Sequence, residues 1–190
     1  HCHRFFYLEV SDYTEEDTSA EDSDTTVVDL VISLHALLGT RSKDTMQLII
    51  SIHGHNLIAL LESGSTHNFL DAATQHRLSV QLGPSLGRQV TVANGEKVTC
   101  QGFAEGILVV IGHDYFAVPC YAIALDSFDV ILRVQFLRTL GPILGDFEDL
   151  CMAFTRGGRR VLWKGLGSPR SQGHLQTSNA LPAGQRTPDD

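Results

Sequence analysis

The sequence predicts an all-β fold, arranged as a small closed or nearly closed barrel with one or two short helices. Aromatic residues make up 7% of the chain, Val, Ile and Leu are plentiful, and the 17 glycines are spread among short apolar runs. Clusters of turn-forming residues separate these runs, which indicates alternating strands and turns. Strands this short, joined by turns this regular, favour a barrel. With 190 residues and 43% hydrophobic residues, the chain can bury one core of ordinary size.

Composition divides the chain into three segments. Residues 1–30 are predicted to be an acidic linker, because residues 9–29 contain no Lys or Arg and their carboxylates repel one another. Residues 31–164 carry the apolar runs and form the predicted domain. Residues 165–190 are rich in Gly, Ser, Pro, Gln and Thr and are predicted to be a disordered tail. The acids of the linker include Asp12, Glu15, Glu16, Asp17, Glu21, Asp22 and Asp24.

The first predicted elements are a hairpin and a helix. Residues 46–52 and 57–61 are apolar, β-prone runs, and the turn-forming cluster at 53–56 separates them. Residues 68–78 place apolar side chains at helical spacing, with Thr66 available as the N-cap. The second strand of the hairpin therefore leads into a short loop and then a helix.

Two further hairpins are predicted in the middle of the domain. The first joins residues 89–93 to 96–100 through Asn94-Gly95, the pair most favoured in a two-residue type I′ turn. The second joins residues 106–111 to 115–118 around a Gly-His-Asp turn. We expect the first of these hairpins to be mobile.

The last part of the domain begins with the wholly apolar run 128–132, which is typical of a strand buried on both faces. Asp129, just before this strand, is expected to bond to backbone rather than to take part in chemistry. A helical segment over 135–140 is predicted to end at Gly141-Pro142. Strands at 151–154 and 159–163 form a final hairpin.

Charge and composition exclude several classes of function. The formal net charge is −8, which argues against a nucleic-acid-binding surface because phosphate contacts need clustered Lys and Arg. No apolar run approaches the roughly 20 residues of a membrane span, and the N-terminus lacks the layout of a signal peptide. We therefore expect an intracellular, cytoplasmic protein without a membrane partner.

The cysteines indicate neither a metal site nor a disulfide framework. They are far apart and follow no Cys-x-x-Cys spacing. Reduced thiols are the expected state, and no cofactor and no metal are predicted. The four residues are Cys2, Cys100, Cys120 and Cys151.

The candidate catalytic residues lie in one run, Leu60-Leu61-Glu62-Ser63-Gly64-Ser65-Thr66-His67-Asn68-Phe69. Two apolar residues end a strand, Glu62 follows, and Ser63-Gly64-Ser65 makes a tight turn. Peptide hydrolysis by two carboxylates needs acids close enough to share one proton, so that one activates water and the other polarises the carbonyl. Because the chain has a single turn of this kind, a complete site would need a homodimer with one acid from each copy and a polypeptide substrate.

About seventy residues later comes Phe128-Asp129-Val130-Ile131-Leu132-Arg133-Val134-Gln135-Phe136-Leu137, and Val92-Ala93-Asn94-Gly95 lies between the two motifs. Together they resemble the retropepsin-like aspartic protease segment of plant gypsy-type retrotransposon Gag-Pol polyproteins. The resemblance implies a retropepsin-like barrel over most of residues 31–164. It also implies that the residues from Cys2 onwards follow a zinc knuckle of which only the last cysteine remains.

The resemblance also assigns roles to residues. Position 62 is implied to hold the catalytic acid, Ser63 to bond across the dimer, and Gly64 to permit close backbone approach. Ala93, Asn94 and Gly95 are implied to form the flap that closes over a substrate.

Two positions depart from the family pattern. Glu62 replaces Asp, and Arg133 replaces a glycine that packs behind the turn. The longer acid displaces its carboxylate by more than a bond length, whereas an error of about 1 Å in an active site can cost roughly 10²-fold in rate. Arg133 either pairs with Glu62 and occupies it, or turns outward at the dimer surface.

Three hypotheses follow. The chain is an impaired endopeptidase that acts through paired Glu62 acids, or a non-enzymatic relic that keeps dimerisation or peptide binding. Alternatively, the acidic residues 9–29 recruit a basic partner, which deletion of residues 1–30 would test.

Other arrangements of reactive side chains are weaker. A nucleophile and base made from Ser63, Ser65 or Thr66 with His67 lacks an orienting acid, and neighbours in sequence rarely point at one another. His53 and His55 lie in a predicted turn and are expected to face solvent. His1, Cys2 and His3 could bind zinc only with ligands outside the sequence. Asp71, Asp126 and Asp146 are acids with no position assigned relative to Glu62.

Overall fold

The computed structural model describes residues 6–8, 30–32, 45–84, 88–146 and 148–166. The strands in these ranges are β1 (Phe6–Leu8), β2 (Leu30–Ile32), β3 (Gln47–Ile52), β4 (His55–Leu61), β5 (Phe69–Asp71), β6 (Gln89–Val92), β7 (Lys97–Thr99), β8 (Gly102–Ile111), β9 (Asp114–Ile123), β10 (Val130–Leu132), β11 (Ile143–Asp146), β12 (Cys151–Arg156) and β13 (Arg159–Lys164). The helices are α1 (Ala72–Arg77), α2 (Val134–Leu137) and a 3₁₀ turn (Arg138–Leu140).

Six strands close into a barrel in the order β10-β4-β3-β8-β9-β5. Strand β10 completes the barrel, because it pairs in parallel with β4 on one side and antiparallel with β5 on the other. All three residues of β10 are buried, as expected for a strand covered on both faces. The predicted all-β barrel with two short helices is confirmed.

Two smaller sheets flank the barrel. One has the order β2-β6-β7, and the other has the order β1-β11-β12-β13. The main core fills the barrel and extends to Phe136 and Trp163. A second apolar cluster joins the β2-β6-β7 sheet to the barrel; its buried members are Leu30, Ile32, Leu60, Phe69, Val90, Val92, Cys100, Tyr121, Ile123, Phe128 and Ile131.

The predicted helix over 68–78 was wrong at its start. Phe69 and Leu70 lie in β5 instead, where they pair with β9 and β10. The helix begins after Asp71, whose carboxylate accepts a hydrogen bond from the Thr74 N–H at 2.8 Å. Asp71, not Thr66, is therefore the N-cap, because pairing with distant strands overrides the local helical spacing.

The turn at Asn94-Gly95 also differs from the prediction. Gly95 has a φ of +88°, whereas Asn94 is not in the positive-φ region, so the turn is not type I′. The Gly95 N–H donates to the Val92 carbonyl at 2.8 Å, and the Val92 N–H donates to the Glu96 carbonyl at 2.7 Å. This is a three-residue loop with a left-handed glycine at its end.

The remaining predicted elements are present with changed ends. The hairpin expected at 106–118 extends over β8 and β9, each of 10 residues, with a register shift between Ala104 and Ile107. The turn of the last hairpin is formed by Gly157 and Gly158, both with positive φ. Among the described residues, none of the helices has the length and apolar character to cross a membrane.

The predicted linker and tail fall almost wholly outside the described residues. In residues 1–30, the structure describes Phe6–Leu8, which pairs with β11, and Leu30 at the start of β2. In residues 165–190 it describes residues 165 and 166. The segment boundaries at 30 and 164 stay predictions.

Candidate functional site

The parallel pairing of β4 and β10 brings Glu62 beside Arg133. Leu61 is the register partner of Leu132, so the residue that follows each strand lies at the same edge of the barrel. The Glu62 N–H donates to the Leu132 carbonyl at 3.0 Å. Two residues 71 positions apart therefore meet because the topology aligns the carboxyl ends of their strands.

The Arg133 guanidinium is the centre of the site. Its side chain is 0% exposed, and its Nη2 forms an ion pair and hydrogen bond with Glu62 Oε2. Its Nη1 donates to the Val31 carbonyl at 2.6 Å and to Ser65 Oγ. Of the two positions left open by the sequence, the structure shows the inward one, paired with Glu62.

Burial makes this guanidinium dependent on its partners. Burial lowers the pKa of Arg133, and the charge and hydrogen bond of Glu62 raise it. Its Nε is buried without a hydrogen-bond partner among the described residues, while its carbon Cζ lies 5.5 Å from the centre of the Phe69 ring. A buried charge of this kind is tolerated when it is paired and hydrogen-bonded, and Glu62 supplies the opposite charge.

The carboxylate of Glu62 folds back over its own turn. A Cβ added at Gly64 would lie 3.6 Å from Glu62 Oε1, and the Glu62 side chain is 22% exposed. Ser63 and Gly64 are exposed. The described chain thus presents one acid at this turn, held by Arg133, beside an exposed Ser-Gly pair.

A buried asparagine fixes the turn against α2. The Asn68 side chain is 0% exposed; its Oδ1 accepts from the Arg133 N–H at 2.7 Å, and its Nδ2 donates to the Pro119 carbonyl at 3.1 Å. The Gln135 N–H donates to the Thr66 carbonyl at 2.9 Å. The sequence analysis assigns no role to Asn68, because the groups that it bonds are 51 and 65 residues away in the chain.

Strand β2 connects the β6-β7 hairpin to the acid turn, which consists of residues 62–66. The tip residues Ala93, Asn94 and Gly95 are exposed, and the Ala93 N–H donates to the Ile32 carbonyl at 3.0 Å. The neighbouring Val31 carbonyl accepts from Arg133 and, at 2.7 Å, from Ser65 Oγ. The structure therefore places β2 between the hairpin and the turn, which the sequence did not indicate.

Comparison with known protein families gives a match over residues 27–143, more than half of the chain, to the family described as "Retroviral aspartyl protease". The chain belongs to the retroviral aspartyl protease family. A comparison with curated proteins gave no match.

One of two similar solved structures shows the fold of this chain. The retroviral protease-like domain of Ddi1 from Leishmania major aligns with a TM-score of 0.53 and 13% identity, covering 66% of this chain and 97% of that one. A retropepsin-like aspartic protease from Rickettsia conorii aligns with a TM-score of 0.37 and 12% identity, covering 52% of this chain and 74% of that one. The first similarity shows the retropepsin-like barrel.

Three other acids of this retroviral aspartyl protease domain accept hydrogen bonds from backbone N–H groups. Asp129 Oδ2 accepts from the Ile58 N–H at 2.8 Å, as predicted, and Asp146 Oδ1 accepts from the Glu148 N–H at 3.0 Å. Asp71 Oδ1 accepts from the Leu125 N–H at 3.1 Å, and Asp126 is exposed. The bonds of Asp71, Asp129 and Asp146 maintain the barrel and its turns.

The alternative reactive groups of the sequence are not assembled. Ser65 Oγ donates to the Val31 carbonyl, whereas the His67 ring packs edge-on against Tyr121 at 5.6 Å between centroids. His53 and His55 are exposed, and His53 Nδ1 donates to the Leu78 carbonyl at 3.2 Å. Within the described part of the chain, no three potential metal ligands cluster, and residues 1–3 lie outside it.

Proposed function

We propose that the chain is the retropepsin-like aspartic endopeptidase domain of a gypsy-type retrotransposon Gag-Pol polyprotein, with impaired catalysis. The family match and the barrel support the protease domain. The motifs quoted above support the retrotransposon origin. The buried ion pair between Glu62 and Arg133 carries the proposal that catalysis is impaired.

The ion pair occupies the carboxylate that two-carboxylate chemistry requires. The two facing acids must be free to share one proton between them. Glu62 Oε2 is instead bonded to Arg133 Nη2, and the buried guanidinium needs this carboxylate as its counter-ion. A dimer would contain this arrangement twice, so neither acid would be free to face the other.

The length of Glu62 adds a geometric obstacle. Its extra methylene and extra rotatable bond let the carboxylate fold back over Gly64. Two facing acids must instead be held within about 0.5 Å of the productive geometry. In the family pattern, glycine stands where this chain has Arg133 and packs behind the turn. We therefore expect an active relative to have glycine at this position.

The partners that we propose follow from this chemistry. A two-acid site requires a homodimer about the Glu62 turn, with the exposed Ser63-Gly64 pair at its interface. The β6-β7 hairpin would act as the flap over a polypeptide, with Ala93, Asn94 and Gly95 at its tip. A cytoplasmic location and the absence of a nucleic-acid-binding role for this domain remain part of the proposal.

Cleavage of an unfolded protein at acidic pH tests the function. The variants are Glu62→Asp, the double variant Glu62→Asp/Arg133→Gly, and Glu105→Asp as a control that makes the same change at an exposed position. We expect no cleavage by the unchanged chain or by Glu105→Asp, and cleavage by the double variant. Efficient cleavage by the unchanged chain would contradict the proposed impairment.

A second candidate is a non-enzymatic relic that keeps dimerisation or peptide binding. Arg133 is completely buried and bonds to Val31, Ser65 and Glu62. These contacts favour the second candidate, because the arginine side chain stabilises the turn while it occupies the Glu62 carboxylate. Sedimentation velocity of the double variant separates the two candidates. A dimer that still fails to cleave supports the relic, and a dimer that cleaves supports the impaired protease.

A further inference from the structure

Strand β2 lies in the groove bounded by β6 and the Glu62 turn. It pairs in parallel with β6, with Leu30, Val31 and Ile32 opposite Val90, Thr91 and Val92. Its other edge faces the turn, where the Val31 carbonyl accepts from Arg133 Nη1 at 2.6 Å and from Ser65 Oγ at 2.7 Å. One short strand is therefore bonded to the hairpin on one edge and to the turn on the other.

The side chains of β2 divide in the same way. Leu30 and Ile32 are 0% exposed, and both belong to the apolar cluster that joins the small sheet to the barrel. Val31 points to the opposite face and is 44% exposed, as strand alternation requires. The groove thus selects an extended segment with aliphatic side chains at alternate positions.

Nothing else can pair with β6 while β2 is in place. Strand β6 has β7 on its other edge, so both of its edges are occupied. The donors of Ser65 and Arg133 that face the groove are bonded to Val31. An extended peptide that approached Glu62 along β6 would have to replace β2 in both sets of hydrogen bonds.

Arg133 connects this strand to the acid. The same guanidinium that binds the Val31 carbonyl through Nη1 pairs with Glu62 through Nη2. A residue at a position where the family pattern has glycine therefore also supplies a donor to β2. Replacing it with glycine would release Glu62 and remove one of the hydrogen bonds that hold the strand, so cleavage by the double variant Glu62→Asp/Arg133→Gly requires that β2 also leave the groove.

We propose that β2 is a built-in occupant of the groove, supplied by the same chain, and that it excludes extended aliphatic peptides from the Glu62 turn. The occupant is Leu30–Ile32, because its backbone bonds to both sides of the groove and two of its side chains are buried. The excluded ligand class is an extended peptide with Leu or Ile at positions i and i+2. This inference deepens the proposed peptide site but does not require that the site cleave peptides.

Hydrogen exchange in the full chain tests the position of β2. In the variant Leu30→Asp/Ile32→Asp, buried carboxylates expel the strand, and we expect the Ala93 amide to exchange at least roughly tenfold faster. The control Val31→Asp places the same charge on the exposed face of the strand and should leave this amide within about twofold of the unchanged chain. Amides of the β8-β9 hairpin report whether the barrel remains folded.

A milder variant keeps the test decisive if the charged one fails to fold. Leu30→Ala/Ile32→Ala shortens both buried side chains without burying a charge, and faster Ala93 exchange is again expected. Unchanged Ala93 exchange in a folded variant would overturn the proposal. Protection of Ala93 that rises with protein concentration would overturn it too, because the strand would then come from a second copy.

Peptide binding tests the exclusion directly. A labelled peptide with the sequence of residues 28–34, Val-Asp-Leu-Val-Ile-Ser-Leu, is titrated by fluorescence anisotropy. We expect the peptide to bind the variant Leu30→Asp/Ile32→Asp, in which β2 is released, and not the unchanged chain. The control is the same peptide with Asp at the positions of Leu30 and Ile32. Equal binding to both proteins would overturn the proposal, whether or not any variant cleaves substrate.

Discussion

Removing the negative charge of Glu62 should destabilise the fold, because Arg133 would keep its charge in a buried site. Glu62→Gln preserves the size of the side chain and an oxygen that can accept a hydrogen bond. The Arg133 side chain is 0% exposed and that of Glu62 is 22% exposed. The loss of one partner of a buried ion pair costs about 3–5 kcal/mol. Because water reaches part of Glu62 and the amide still accepts, we expect a loss of about 2–3 kcal/mol.

A second ion pair of the barrel provides the matched control. Asp114 Oδ1 lies 2.7 Å from Arg159 Nη2, and the Arg159 side chain is 57% exposed. Asp114 Oδ1 also lies 3.8 Å from Arg156 Nε, and the Arg156 side chain is 37% exposed. Asp114→Asn therefore leaves two arginines that water can solvate, so the expected loss is below about 1 kcal/mol. Both variants change an acid to its amide, and they differ in the burial of the arginine side chains that remain.

Urea denaturation at one fixed protein concentration measures the difference, since dimerisation would make stability depend on concentration. The double variant Glu62→Gln/Arg133→Met replaces the pair with a neutral one and should lie within about 1 kcal/mol of the unchanged chain. If Glu62→Gln cost no more than Asp114→Asn, the reasoning that Arg133 depends on Glu62 would be refuted.

Three other predictions concern residues around the barrel. Burial, and then the positive charges of nearby arginines, lower the pKa of His67 below 6.5. As the pH falls, the His67 side chain is therefore protonated in the unfolded chain before it is protonated in the folded chain, and the folded state loses stability. His67→Gln should reduce this loss, as measured by urea denaturation from about pH 7 to 5. Burial raises the pKa of the Cys120 thiol far above its usual range. Iodoacetamide at about pH 8 should therefore leave this thiol unmodified in the folded chain, as measured by peptide mass spectrometry. Modification of Cys120 before the chain unfolds would contradict this prediction. In Gly102→Ala the new Cβ would lie 2.7 Å from the Leu82 Cβ, which should cost about 1–3 kcal/mol in urea denaturation. Gly106→Ala, whose nearest contact would be 3.8 Å, should cost less than about 0.5 kcal/mol, and equal losses would show that the crowding at Gly102 relaxes.

The barrel could be predicted because its strands are marked locally. Apolar runs over β3, β4 and β10 are bounded by turn residues, and the turns at His53-Gly54 and Gly157-Gly158 have the left-handed conformations that such residues favour. The burial of β10 followed from its wholly apolar composition. These features depend on neighbouring residues, so the sequence alone indicates them.

The features that sequence reasoning missed depend on distant residues. Phe69 and Leu70 have spacing that fits either a helix or a strand, and pairing with β9 and β10 decides between them. Strand β2 is three residues long and is stabilised by β6 and by the acid turn. Its role could not be read from composition, because short apolar segments carry no periodicity.

The candidate site could be predicted in part. Glu62 and Arg133 were identified as departures from a family pattern, and their pairing was one of two alternatives. The parallel register of β4 and β10 decides where the two residues lie, and that register is a property of the fold. Asn68 was missed because its importance lies in the three groups that it bonds, which are separated from it by 51–67 residues.

A crystal structure of the chain is the most direct test of the central claim, that the acid of the turn is held by an arginine of its own subunit. We expect Arg133 Nη2 to contact Glu62 Oε2 within each subunit, with the guanidinium buried. An Arg133 side chain directed into solvent, with two Glu62 carboxylates within hydrogen-bonding distance across a two-fold axis, would contradict it.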